Sequence, residues 1–464
     1  MLYIRDLIRK KRKKEELTTE ELDFFVESYN NNTILPEQIS ALVTLMYVNG
    51  LSYREISYLA EKVSQTGKIQ DLFKFSDKVL DIHPIGGIDD KIVVILLAVF
   101  ATLKLPVVKI VDREVGFLDR IMDIGGYKLE TQYDVIKERI GDEIVIIDEP
   151  EEIAPLELNL YKLRNDIACN DDTSLIAISL MSQKLAMGVK NVVFDITYGE
   201  KAYVKTLQDA RKLAKILCQM GKETSKGIKC VITAMDEPIG KYFGNVLELK
   251  EACEALNGDM SPDVKIMVEE LGNSTMQLIN PLSKKDENIK LINEAINSGS
   301  AYETLNGYLA GIGLELDEAV NVVPVLSPFE GYVEEINVSA ARVLAKELNA
   351  IRYNKEEFVD LGSGLEFCKK IGDRVNKGDI LGVIYTNDTD KVPHAVESFL
   401  DMYKLSNKKV KVVPRVREVL WCFSFCFIVN NTLLKKNGIW DIILARLWRY
   451  CLRWMNIELI VAEN

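Results

Sequence analysis

The sequence predicts an α/β protein with a discontinuous all-α domain and a small β-rich C-terminal region. Three observations predict it. Capped amphipathic helices fill the first 64 residues, apolar β-rich runs alternate with helical stretches from about residue 78, and glycine-punctuated runs of period two take over beyond about residue 323. A chain of 464 residues suits two to four domains at roughly 100–200 residues each.

At the N-terminus Ile4, Leu7 and Ile8 share one helical face, ahead of the basic run Arg9–Lys14. Thr18 with Glu21 and Ser52 with Glu55 read as capping boxes, in which the two side chains satisfy the free amides of a helix start. Pro36 suits a first helical turn and Gly50 a helix end. Between them Ile39, Leu42, Val43 and Met46 form one apolar face. Helices this short and this close must bury those faces, either within the chain or against a second subunit. The runs 79–82, 107–111, 144–147, 192–196 and 230–233 are continuous and apolar, and helical stretches at 91–103, 204–220 and 245–256 lie between or after them. That alternation predicts a parallel sheet covered on both faces. The block 156–188 reads as helical and returns to the N-terminal helices. The expected domains are therefore 1–64 with 156–188, then 65–155 with 189–322, then 323–420. Glu330-Gly-Tyr-Val and Ile371-Gly-Asp-Arg-Val-Asn-Lys-Gly-Asp-Ile-Leu-Gly mark the last as β-rich.

Residues 421–464 form an unmatched tail. They hold all four tryptophans, three of the eight cysteines and a net charge of +2, which leaves −14 for residues 1–420. The overall charge of −12 argues against a nucleic-acid partner, because phosphate binding needs a basic face. No run of 18 apolar residues and no secretory leader pattern occurs, so a cytoplasmic protein without membrane partners is expected. The cysteines are scattered without a CxxC pair, and His83 and His394 are the only histidines. A histidine-rich metal site is excluded, and any imidazole chemistry falls to one of these two.

The segment with the clearest chemistry is Val79-Leu-Asp-Ile-His-Pro-Ile-Gly-Gly-Ile-Asp-Asp-Lys91. A strand runs into a Gly86-Gly87 turn and then a helix start, where backbone amides and the helix dipole favour an anion. His83 lies at the C-terminal end of the strand, where open α/β sheets place ligands. Arg164 and Ser179 are candidates to converge on that edge; spacing alone does not bring them there.

These segments resemble the pyrimidine-nucleoside phosphorylases, a family that includes thymidine phosphorylase. The resemblance covers residues 1 to about 420. It rests on Asp6-Leu-Ile-Arg-Lys-Lys, Leu17-Thr-Thr-Glu-Glu-Leu-Asp-Phe-Phe-Val, His83-Pro-Ile-Gly-Gly-Ile-Asp-Asp-Lys, Leu160-Tyr-Lys-Leu-Arg, Gly240-Lys-Tyr-Phe-Gly-Asn-Val-Leu-Glu-Leu-Lys-Glu and Val413-Pro-Arg-Val-Arg-Glu. It implies a nucleoside phosphorylase/phosphoribosyltransferase-like fold with a C-terminal α+β domain, assembled as a homodimer through the helical domain. It also implies phosphate-dependent cleavage of a pyrimidine nucleoside to base and pentose 1-phosphate. By the match, His83 is the catalytic histidine, and Arg164, Ser179 and Gln183 hold the pyrimidine, with Gln183 standing where the family has lysine.

The phosphate side departs from the family pattern. Ile82 stands in place of its lysine, Pro84 of its serine and Val93 of a threonine. Val111-Asp112-Arg113 replaces serine-glycine-arginine, and a threonine-glycine-glycine-threonine segment is missing after Phe117. Gly86, Gly87, Lys91, Lys109 and Arg113 remain as candidate phosphate groups. No organic cofactor is implied. A monovalent cation is, with Glu251 as its acidic ligand, Ile239 and Tyr242 as carbonyl donors, and Asp89 in place of a glycine; Lys91 could supply that positive charge itself. Two alternatives stand beside phosphorolysis: a catalytically inactive dimeric paralogue, and a phosphoribosyl-transfer enzyme.

Overall fold

The structure is a computed structural model that describes residues 2–70, 76, 78–86, 90–111, 133–147, 152–199, 202–311, 319–351 and 357–422. The chain divides into a unit of residues Met1–Cys422 and a second of Phe423–Asn464, which lies outside the described residues. Trp440, Trp448 and Trp454 therefore lie outside them too.

Helices α1 (Ile4–Arg12), α2 (Thr19–Asn30), α3 (Pro36–Asn49) and α4 (Tyr53–Ser64) open the chain. Both capping boxes form, Pro36 takes the first turn of α3, and Gly50 closes it at φ +76°. Glu55 does more than cap. Its carboxylate is buried, accepts from the Leu17 amide at 2.9 Å and pairs with Lys11 at 3.2 Å. Helices α7 (Pro155–Asp166) and α8 (Thr173–Ala186) pack on this bundle, α8 against α4 and α7 against α2 and α4. Phe25, Val43, Met46, Val63 and Leu175 share one core there.

The main sheet has β1 (Leu80–Ile85), β2 (Val107–Ile110), β3 (Ile146–Ile147), β4 (Asn191–Tyr198), β5 (Gly227–Ala234) and β13 (Val416–Cys422). Its order is β13-β5-β4-β1-β2-β3, with every pair parallel except β13 on β5. The antiparallel edge strand carries Trp421 and Cys422 into the sheet, two residues past the expected end of the C-terminal domain. The helix expected over 204–220 is α9 (Leu207–Glu223); Thr206 caps it, and Val204 instead bridges to Tyr198. Helix α9 and the bundle share the core on one face of the sheet. On the other lie α5 (Asp90–Thr102) and α11 (Pro262–Ile279), with α10 (Asn245–Leu256), α12 (Lys285–Asn297) and α13 (Ser300–Gly311) packed against them. The last three helices have no counterpart among the elements expected from the sequence. Helix α6 (Tyr133–Arg139) precedes β3.

The C-terminal region is α+β. One sheet holds β8 (Gly331–Ile336), β10 (Arg374–Val375) and β12 (Tyr403–Ser406); the other holds β7 (Asn321–Leu326), β9 (Gly364–Phe367) and β11 (Ile380–Thr386). Helices α14 (Val338–Glu347) and α15 (Val392–Asp401) pack on them. The short strand β6 (Tyr242–Phe243) pairs with β9 through Tyr242↔Glu366 and Phe243↔Leu365. The segment after β5 thus passes directly into the C-terminal sheet.

Candidate active site

Alternation along β1 sends successive side chains to opposite faces of the sheet. Asp81 and His83 face the helical bundle, while Leu80 and Ile82 join the core under α5. His83 is 2% exposed, and its ring meets Phe194 of β4 edge-on at 5.8 Å. Asp81 accepts from the Ile110 amide at 3.0 Å and pairs with Lys184 of α8 at 2.9 Å. Burial, then the positive charges of Lys184 and Lys109, holds the His83 imidazole well below its usual pKa. It is therefore neutral at neutral pH and can donate or accept a hydrogen bond without carrying charge. Gly86 follows at φ +73° with Tyr203 packed against it. The other histidine, His394, is exposed on α15, 3.4 Å from Glu347.

The neutral histidine has a measurable consequence. Above the unfolded value of about 6.5 both states are unprotonated, and the stability contribution is complete. Below it the unfolded chain takes up a proton that folded His83 refuses. Stability should then fall by about 1.4 kcal/mol per pH unit until the folded pKa is reached. Urea unfolding from about pH 7 down to about pH 5 should show this extra slope, and His83→Gln should remove it. Identical slopes would mean that His83 titrates as an exposed histidine.

A second group sits where α7 and α8 face each other. Arg164 Nη2 donates to Ser179 Oγ at 3.2 Å, Ser179 donates to Glu157, and Gln183 Nε2 donates to the other Glu157 oxygen at 3.2 Å. The three residues expected to hold a pyrimidine are thus gathered around one buried carboxylate that sequence reasoning missed. The signal was present. Glu157 and Arg164 are seven apart on one helix, and Ser179 and Gln183 are four apart on the next, so each pair shares a helical face. A small cavity of about 30 Å³ adjoins the cluster between Phe25, Met46, Leu160 and Arg164. Lys184, one residue beyond Gln183, points elsewhere, to Asp81.

At the expected phosphate positions Ile82, Val93 and Val111 are all buried in one apolar core. Lys109 is buried on the neighbouring strand. Alternation along β2 puts Lys109 on the face shared with Val107 and Val111. Gly87, Asp89 and Arg113 lie outside the described residues. Lys91 differs from the expectation of a phosphate group. Its ammonium donates to the Ile239 carbonyl at 3.0 Å, the Tyr242 carbonyl at 2.6 Å and Glu251 Oε2 at 2.8 Å. Those are the oxygens assigned to a monovalent cation, so the residues present do not fit a free ion at that point. No cluster of three His, Cys, Asp or Glu side chains suited to a metal ion occurs among the described residues. No helix among them is long and apolar enough to cross a membrane.

Residues 5–67 match the glycosyl transferase family helical bundle domain, and residues 332–406 match the pyrimidine nucleoside phosphorylase C-terminal domain. The pyrimidine-nucleoside phosphorylase of Staphylococcus haemolyticus is 31% identical over 396 residues, 82% of this chain and 92% of that protein. Those of Geobacillus stearothermophilus and Bacillus subtilis are 31% and 32% identical over the same shares. Among solved structures, anthranilate phosphoribosyltransferase from Thermus thermophilus aligns at 15% identity and a TM-score of 0.49, over 67% of this chain and all of that one. With relatives at that identity spanning most of its length, the chain belongs to the pyrimidine-nucleoside phosphorylase family.

Proposed function

We propose that this protein binds a pyrimidine nucleoside and cleaves it with phosphate at a rate far below that of an ordinary phosphorylase. In the reaction a phosphate oxygen bonds to the anomeric carbon. The glycosidic C–N bond breaks with its electron pair on the departing pyrimidine, which takes up the proton that hydrogen phosphate gives up, leaving free base and pentose 1-phosphate. The base side is supported by one observation above the rest, the grouping of Arg164, Ser179 and Gln183 around Glu157. Arg164 brings a positive charge for the departing base, and neutral His83 is a further donor at the strand end.

On the phosphate side, the burial of Ile82, Val93 and Val111 in apolar core favours weak binding. Each charge-assisted hydrogen bond given up costs about 1.5–3 kcal/mol, against about 4 kcal/mol for binding a millimolar ligand. Lys109, buried on β2, is our candidate for holding what phosphate is bound. The same burial supports the second reading, an inactive paralogue that retains base binding. In either case the proposed setting is a cytoplasmic homodimer paired through the helical domain of 1–64 and 156–188. Exposed Tyr3 and Leu35, which immediately precede α1 and α3, and Val48 on α3 support that surface, which sedimentation tests.

Calorimetry with uracil or thymine, and separately with inorganic phosphate, tests the assignment. Saturable base binding is expected, with phosphate unsaturated at about 10 mM. Thymidine or uridine turnover should be weak, and Lys109→Met should remove what remains. Restoring lysine at 82 and serine at 84 should not recover a full rate, because the threonine-bearing segment after Phe117 is still missing. Failure of both bases to bind sinks the base-site assignment. Ordinary turnover with saturating phosphate sinks the attenuated one.

A further inference from the structure

We infer that Lys91 is a tethered cation, a side-chain ammonium that permanently fills an oxygen cage suited to K⁺ or NH₄⁺ and thereby joins the start of α5 to the C-terminal sheet without any exchangeable ion. The inference does not depend on which reaction the protein performs.

The geometry is that of an ion site. Lys91 is 1% exposed and lies near the start of α5, directly after the glycine-turn segment. Its three acceptors at 2.6–3.0 Å are two backbone carbonyls and one carboxylate, the donor set that takes a large monovalent cation. An ammonium has nearly the radius of K⁺, so the tethered group and the free ion compete for one volume. The cage is rigid on the carboxylate side: Glu251 also accepts from the Lys241 amide at 2.7 Å and the Tyr242 amide at 3.1 Å. Gly240 lets the carboxylate approach, since a Cβ there would lie 2.1 Å from Glu251 Oε1. One positive and one negative charge cancel inside the protein, so a second cation would itself be an uncompensated buried charge.

The connections give the cage its purpose. Ile239 follows β5, Tyr242 belongs to β6, and Glu251 lies on α10. Strand β6 pairs with β9 of the C-terminal region. Through Lys91 the start of α5 is therefore bonded at once to the segment after β5, to α10 and to an edge of the C-terminal sheet. A free ion would make the same links with an affinity that depends on salt. The lysine makes them through the covalent chain, independent of the medium.

The test compares thermal unfolding in KCl, NH₄Cl and N-methylglucamine chloride at equal ionic strength. The full-length wild-type midpoint should agree within about 1 °C in all three. Lys91→Gly empties the cage. Its midpoint should drop by several degrees in N-methylglucamine and recover in KCl or NH₄Cl, because an ion that binds only the folded state stabilises it by mass action. Lys91→Met, whose side chain still fills the space, should be destabilised without recovery. A thallous-ion titration of wild type should show no saturable binding that Glu251→Gln abolishes. Such binding, or a wild-type midpoint as K⁺-dependent as that of Lys91→Gly, overturns the inference. So does a Lys91→Gly protein indifferent to every small cation. If Lys91→Gly folds in no salt, the thallous titration of wild type decides alone.

Discussion

Gly240→Ala is expected to lower the unfolding free energy by about 4–7 kcal/mol, about 3–5 for breaking a buried ion pair and about 1–2 for backbone strain. Two independent costs meet at this residue. Gly240 sits at φ +67°, where a side chain is strained, and its added Cβ would fall 2.1 Å from Glu251 Oε1. Glu251 cannot simply retreat, because it holds the Lys91 ammonium at 2.8 Å and two backbone amides. Moving it leaves a positive charge without its counter-charge in a site closed to water. Gly258→Ala separates the two costs. That residue has φ +100° and nothing within 4 Å of where an added methyl would stand, so only the conformational strain of about 1–2 kcal/mol applies. Urea unfolding of both variants checks the difference. Equal losses would mean that the Glu251 carboxylate is free to move.

The second large effect is expected at Glu157. Replacing it with alanine takes from Ser179 and Gln183 the acceptor around which both are arranged, and removes a buried carboxylate from the Arg164 cluster. If the orientation lost is worth one such hydrogen bond to a charged group, about 1.5–3 kcal/mol, uracil affinity should fall about 10–150-fold. Stability should fall as well, because buried donors are left without that acceptor. Glu157→Gln retains the size and one acceptor oxygen, and should keep more of the affinity. Calorimetry with uracil and unfolding of the same samples read both effects. An unchanged affinity in Glu157→Ala would show that Ser179 and Gln183 do not depend on it for their orientation.

Much of the architecture was legible because local signals and burial agreed. Thr18–Glu21, Ser52–Glu55 and Pro36 announce helix starts through backbone amides that need acceptors, and all three form as read. The apolar runs at 79–82, 107–111 and 192–196 lie in the parallel sheet because both of its faces are covered. Helices α11 to α13 were not legible: α11 takes its place on β5, β4 and β1 through tertiary contact, and α12 and α13 stand outside it, where only part of each surface is buried. The antiparallel strand β13 was also missed, since its pairing with β5 joins residues nearly two hundred apart. At the site, residue types pointed to His83, Arg164, Ser179 and Gln183. Glu157 looked like an ordinary acidic residue in a first helical turn, and its role depends on α8 lying opposite.

The amino-acid order by itself determines where helices start, which runs form the sheet, and that polar groups have left positions 82, 84, 93 and 111. Those are properties of a residue and its near neighbours in the chain, and of a family resemblance carried by short motifs. Which partner each charge finds was decided only by the tertiary structure. Lys184 goes to Asp81 and not to the Glu157 cluster because one residue along a helix turns the side chain by about 100°. Lys91 meets Ile239, Tyr242 and Glu251, residues about 150 to 160 positions away, because α5 and α10 pack on the same side of the sheet. A buried ammonium requires oxygen partners wherever the fold supplies them, and chain order cannot say which distant oxygens those will be.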